Sequence, residues 1–209
     1  MLANPTTRLS SEEERRRKRE KELLLLLLFL RVTLDKHARQ FVAGYSQQTD
    51  FLFLCMTAIR QAHYAAAQLG VVQAGAVAYN PYSVAERAAA AQESFLAAFA
   101  TDLANGRYDP RSDGGEGARA RKQRFELYAL RLTGTANAAW LAALPRTTEV
   151  LWVLGENEDH CSTCRYESAQ LWRPVSHLTR TPGDGSTICI TNCRCHLQTR
   201  DGLMSFHNL

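Results

Sequence analysis

Five of the six cysteines in this 209-residue chain lie in one stretch, HCSTCRYESAQLWRPVSHLTRTPGDGSTICITNCRCHL, running from His160 to Leu197. No other feature restricts the possible folds as much. Cys161 and Cys164 form a C-x-x-C pair, and a tight turn there can aim two thiolates at one ion. Cys189, Cys193 and Cys195 follow after 24 intervening residues. Zinc takes four tetrahedral ligands, and thiolates suit it. The segment has few large apolar residues, so a structural metal would supply folding free energy that its core lacks. Two knuckles separated by a hairpin give the general plan of a zinc ribbon. The expected ligands are Cys161, Cys164, Cys189 and Cys193. Cys195 is the alternate, because a C-x-C strand sends its two side chains to opposite faces. His160 and His196 flank cysteines and can replace one, although surface or packing roles are expected of them.

Disulfides are the competing chemistry. Two bonds and a free thiol also satisfy the count. The sequence shows no secretory signal, since MLANPTTRLSSEEERRRKREKE has no apolar stretch after a short basic start. A reducing cytosol is therefore expected, and there clustered cysteines favour metal. Redox catalysis is not expected, because the C-x-x-C lacks a recognisable strand-to-helix βαβ setting.

The rest of the chain reads as helix. Residues 12–22, EEERRRKREKE, are eleven consecutive charges of mixed sign. Glu12–Arg16, Glu13–Arg17 and Glu14–Lys18 have i,i+4 spacing with the acid first, the favourable order on a helix. Ser10 and Ser11 each precede a Glu by three residues, a capping-box signal. The run Leu23–Leu30 is too short for a membrane span, which needs about 20 residues, and predicts part of a buried helix. Leu27, Leu30, Leu34, Phe41 and Tyr45 keep one face. A second helix places Phe51, Leu54, Cys55, Ala58, Ile59, Ala62, Ala65, Ala66 and Leu69 on one side, with Cys55 as a small core residue and Gly70 as the stop. A third runs from NPYSVAE to Asn105–Gly106, with Val84, Ala88, Ala91, Phe95, Ala98, Phe99 and Leu103 inward. YDPRSDGGEG is a loop by composition. A fourth helix covers about Ala118 to Leu144, and Pro145 stops it.

Beyond Pro145 the texture changes. EVLWVLG is β-branched and aromatic and predicts a strand. PGDG predicts a tight turn; STICI and CRCHLQ predict short strands. The expected fold is mainly α, a long-helix body with a small C-terminal Cys-rich, zinc-ribbon-like β unit. The expected divisions are a helical region over 1–108, a flexible link over 109–117, a helix over 118–148 leading to the unit, the Cys-rich unit over 149–200 and a tail over 201–209.

Enzyme signals are thin. There is no G-x-S-x-G, H-E-x-x-H or phosphate loop. GENEDH (Gly155–His160) sets three carboxylates beside a histidine, and a solvated turn is the expected reading. No enzymatic activity is expected. The net charge of +4 is compatible with an acidic partner without requiring one.

The runs RFELYALRLTGTANAAW, EVLWVLGENEDHCSTC and PGDGSTICITNCRCHL resemble the C-terminal half of tailed-phage minor head proteins, the head morphogenesis proteins similar to protein F of phage Mu. That family shows a Trp-containing strand, an acidic turn, C-x-x-C, a variable hairpin and a terminal C-R-C. Here these are Trp152, Cys161/Cys164 and Cys193-Arg194-Cys195. Many members carry a His three residues before the C-R-C; this chain has Cys189 four before it. The resemblance covers about Arg124 to Gln198. It implies a low-copy virion structural protein, made in the host bacterial cytoplasm and located in the virion head. The implied partners are the portal, the major capsid protein or both, met at the portal or inner capsid during head assembly or DNA delivery, with a homo-oligomer following portal or capsid symmetry and a contact with packaged DNA. No stable membrane span is expected.

A zinc-ribbon nucleic-acid-binding protein is the alternative. Arg165, Arg173, Arg180, Arg194 and Arg200 make the small unit basic, and Trp172 is available to stack on a base.

Overall fold

The computed structural model describes residues 11–108, 116–156, 160–189 and 193–207. The chain is mainly helical with a small three-stranded sheet. Its elements in order are α1 (Ser11–Val42), α2 (Gln48–Gln73), α3 (Tyr82–Ala90), α4 (Glu93–Ala104), α5 (Glu116–Ala143), β1 (Glu149–Val153), α6 (Ser162–Ala169), β2 (Arg173–Pro174), a 3-10 turn (Val175–His177) and β3 (His196–Thr199).

Helix α1 is described from Ser11 and carries the charged run in its first turns. Of the predicted pairs Glu13–Arg17 forms, at 2.9 Å, while the side chain of Glu12 and all of Ser10 lie outside the described residues. Leu23, Leu27, Leu30, Leu34 and Ala38 are buried. They recur every three or four residues, which sets one stripe of the helix against the core. The leucine run is thus only half buried: Leu25 and Phe29 are each 65% exposed on the other face. Tyr45 does not extend the buried stripe. The helix ends at Val42, Gly44 turns the chain at φ 79°, and Tyr45 stands in solvent. Phe41 stays on the buried side and stacks on Phe51 at 5.3 Å. Among the described residues, no helix is long and apolar enough to cross a membrane.

Helix α2 runs through the middle, packed on α1, α3 and α5. Phe51, Cys55, Ile59, Ala62 and Ala66 are buried as expected, whereas Leu54 is partly exposed. Gly70 does not stop the helix, which continues to Gln73. A Cβ at Gly70 would collide with the Ala136 carbonyl oxygen, so glycine here permits the close crossing of α2 and α5.

The predicted third helix is two helices. The chain breaks at Ala91–Gln92, between α3 and α4. Gln92 is fully buried and its amide meets His63 Nε2. Ala85, Ala89, Gln92, Leu96, Phe99 and Leu103 keep one buried stripe across the break at steps of three and four, so the inward residues of α4 are Leu96, Phe99, Ala100 and Leu103, while Phe95 is 48% exposed. Asn105 caps α4, and Gly106 turns the chain at φ 77°.

The link predicted over 109–117 lies outside the described residues up to 115, and its last two residues open α5. Phe125, Tyr128, Ala129, Leu132 and Ala136 of α5 join the main core, and Trp140 near its end joins a second core with the sheet. The strand order is β2-β1-β3, antiparallel throughout, with Trp152 opposite Leu197 and Val153 opposite His196. PGDG forms a turn as expected. The described part of STICI, Ser186–Cys189, forms no strand, since Thr187–Cys189 lie in a bend and a turn, and the CRCHLQ strand starts only at His196.

The segment predicted as a tail returns to the helical body. Phe206 is 1% exposed and belongs to the main core. Buried Asn137 of α5 accepts from Phe206 N at 2.8 Å and donates to Phe206 O and to Pro182 O, both at 3.1 Å. One amide thereby satisfies backbone groups from two loops that would otherwise be buried unpaired.

Candidate metal centre

The C-x-x-C pair opens a helix rather than sitting on a free turn. Cys161 is the N-cap of α6, in extended backbone geometry, and its Sγ accepts from Cys164 N at 3.4 Å. Cys164 follows one turn in and is buried. The pair therefore does sit between a strand, β1, and a helix. The βαβ context is still missing, since β1 is antiparallel to both neighbours.

The sulfurs converge. Cys189 Sγ lies 3.6 Å from both Cys161 Sγ and Cys164 Sγ, and Cys164 Sγ lies 3.5 Å from Cys193 Sγ. Four thiolates held tetrahedrally at about 2.3 Å from zinc are roughly 3.8 Å apart. These three spacings are close to that edge. Among the described residues two groups could hold a metal ion: Cys161, Cys164 and Cys189 form one, Cys164, Cys193 and Cys195 the other. All five clustered cysteines take part, and Cys164 belongs to both groups. All are free thiols, with no disulfide among them.

Cys193 and Cys195 do not point to opposite faces as a C-x-C strand would require. Residues 193–195 precede β3, and both thiols are buried in one group. Cys195 is the better thiolate. A hydrogen bond from Cys193 is the main cause; burial opposes it, and the Gly155 backbone N–H assists, bringing its pKa to about 5. Cys193 and Cys164 move up. Cys195 and burial raise Cys193; burial, then Cys161, raises Cys164. Burial also raises Cys161, but bonds from Cys164 and Cys189 outweigh it and bring that thiol to about 7.

The surroundings are apolar and close-fitting. Trp140, Val150, Trp152 and Leu197 pack around Cys164, Cys193 and Cys195. A Cβ at Gly155 would collide with the Arg194 carbonyl, so only glycine lets the β1 exit lie against the C-R-C segment. Gly155 and buried Glu167 were not predicted as parts of this site. Glu167 pairs with Arg173, and with Arg180 at 3.6 Å. Sequence offered only a glycine closing the strand and an acid in the helix after C-x-x-C.

His160 and His196 enter neither sulfur group. The His196 ring lies 4.1 Å from that of His207, and burial lowers its pKa to about 4. Of the three GENEDH carboxylates, Glu156 is exposed and the other two lie outside the described residues. Among the described residues three of the five arginines find acidic partners, Arg173 and Arg180 with Glu167 and Arg200 with Glu149. The Trp172 ring is covered by the Arg200 guanidinium at 4.8 Å. Cys55, the sixth cysteine, is fully buried in the helical core, and burial pushes its pKa up to about 12.

No family model, curated protein or solved structure matches this chain.

Proposed function

We propose that this protein is a structural, non-enzymatic component of a phage virion, of the minor head or head morphogenesis class, and that its cysteine cluster holds one structural zinc ion. The observation that supports this reading is the cluster itself, joined to the sequence resemblance that surrounds it. Five thiols converge where a Trp-bearing strand, a C-x-x-C helix and a C-R-C segment meet. Sulfur-only donors suit zinc, and a site this rich in sulfur leaves no open position for catalysis. Cys161, Cys164, Cys189 and Cys193 would hold the ion, with Cys195 as the alternate. The metal would pin the short sheet and α6 together and fix them on the end of α5, and the long helices would offer their outer faces to portal or major capsid protein.

The nucleic-acid reading has weaker support. Ion pairs take up much of the basic character of the unit, and Arg200 occupies the face of Trp172. Elemental analysis of the purified chain, with co-purification on portal and on major capsid protein, tests the main reading. About one zinc per chain and retention on either partner are expected. A metal-free folded protein would sink the zinc centre. Steep salt-dependent DNA binding without retention on a head protein would favour the alternative.

A further inference from the structure

A second site lies away from the cysteines. A cleft of about 420 Å³ opens between α3, α5 and the turn around Asp184, with the fully buried His63 of α2 among its lining residues. Small-molecule pockets commonly span about 300–1,000 Å³. Two guanidiniums line it, Arg87 from α3 and Arg131 from α5. Arg131 is half-buried, with its guanidinium 5.2 Å from the Phe95 ring centroid. Among the described residues neither arginine has a carboxylate within ion-pair distance. A partly desolvated guanidinium without a counter-charge is costly.

The neighbouring groups do not supply that charge. His63 is held neutral: Gln92 Nε2 can only donate to its Nε2, so Nδ1 donates to Thr135 Oγ1 at 2.7 Å. Thr135 donates onward to the Arg131 carbonyl at 3.2 Å. Among the described residues Asp184 is the one carboxylate lining the cleft, and its turn already employs it. It accepts from Thr181 N at 2.9 Å and Thr181 Oγ1 at 2.8 Å, and from Ser186 N at 2.8 Å and the Ser186 hydroxyl. Among the described lining residues, two guanidiniums less one carboxylate leave one surplus positive charge.

We propose that this cleft binds a small phosphate monoester, with its phosphate on Arg87 and Arg131 and its organic part against Val84, Ala88 and Ala138. The planar guanidinium fork matches phosphate oxygens. The small apolar side chains leave the volume that a bare phosphate would not fill.

Isothermal titration of the full chain at low ionic strength tests this, with inorganic phosphate, ribose 5-phosphate and adenosine 5′-monophosphate as probes. Saturable one-to-one binding of at least one monoester is expected, about tenfold tighter than inorganic phosphate. Arg131→Gln and Arg87→Gln should each weaken it by about tenfold or more. The exposed Arg87 gives a variant whose ligand-free thermal midpoint should not move, so loss of binding there is separable from loss of fold. Preference for the nucleotide over the sugar phosphate, or the reverse, identifies the organic part. No saturable binding of either monoester at millimolar concentration would overturn the proposal. So would equal affinity for inorganic phosphate, or binding that survives Arg87→Gln unchanged.

Discussion

Cys164 Sγ lies 3.5 Å from Cys193 Sγ, although 29 positions separate them in the chain. Cys164 also lies 3.6 Å from Cys189 and belongs to both groups able to hold a metal. It is the sulfur through which the C-x-x-C helix meets both downstream cysteine segments.

Cys164→Ser should therefore abolish metal binding more completely than a change at Cys189, Cys193 or Cys195. Elemental analysis of the purified variants would show near-zero metal for Cys164→Ser. At least one of the three later variants should keep about one equivalent, because five thiols exceed the four ligands zinc takes. Cys55→Ser should leave the metal content unchanged, and a loss there would contradict its place in the helical core.

Chelation should lower the thermal midpoint and loosen the small sheet first. Hydrogen exchange of the β1 amides, Glu149–Val153, would rise before that of α2. Equal rates in the two elements after chelator treatment would show that the cluster does not support the sheet.

Gly70→Ala forces a methyl group against the Ala136 carbonyl where α2 crosses α5. The helices must separate, at a cost of about 1–3 kcal/mol or more. Urea denaturation would register it as a lower midpoint. Gly75→Ala provides a contrast: its added methyl meets open space, and only the φ of 70° opposes it.

Phe206→Ala should cost about 3–5 kcal/mol, the usual range for a fully buried aromatic. The side chain is 1% exposed and sits in the main core. A change within experimental error would mean that the C-terminal segment does not dock there in solution.

His63 should make stability fall in mild acid. Burial, then Arg131, lowers its pKa from 6.5 to about 3. The unfolded chain gains a proton below 6.5 that the folded one refuses, so the contribution is fully present above pH 6.5 and is lost as pH falls toward 3. The slope is about 1.4 kcal/mol per pH unit well inside that window. His196 and His207, also lowered, act in the same sense. Comparing unfolding free energies of wild type and His63→Gln at pH 7 and pH 5 isolates the His63 share; the variant should lose less on acidification.

The mainly helical body, the β1 strand and the proline stop of α5 were legible because each rests on neighbours in the chain. Leucines three and four apart make a stripe whatever lies opposite, and EVLWV favours extended backbone by its own side chains. The cysteine spacing likewise announced a sulfur cluster. Long-range partners decided the rest. The expected third helix breaks at Ala91–Gln92, where the buried Gln92 amide meets His63, and nothing near Gln92 in sequence announces that histidine. Gly70 reads as a stop because it follows Leu69, the last residue of the apolar face; the Ala136 carbonyl against it makes glycine the residue that fits. Cys193 and Cys195 were expected on opposite faces from strand alternation. In the fold their segment precedes β3, lies close against Gly155 and brings both thiols beside Cys164. Local periodicity thus fixed which elements form, and close contacts between distant backbones fixed where those elements end and which sulfurs meet.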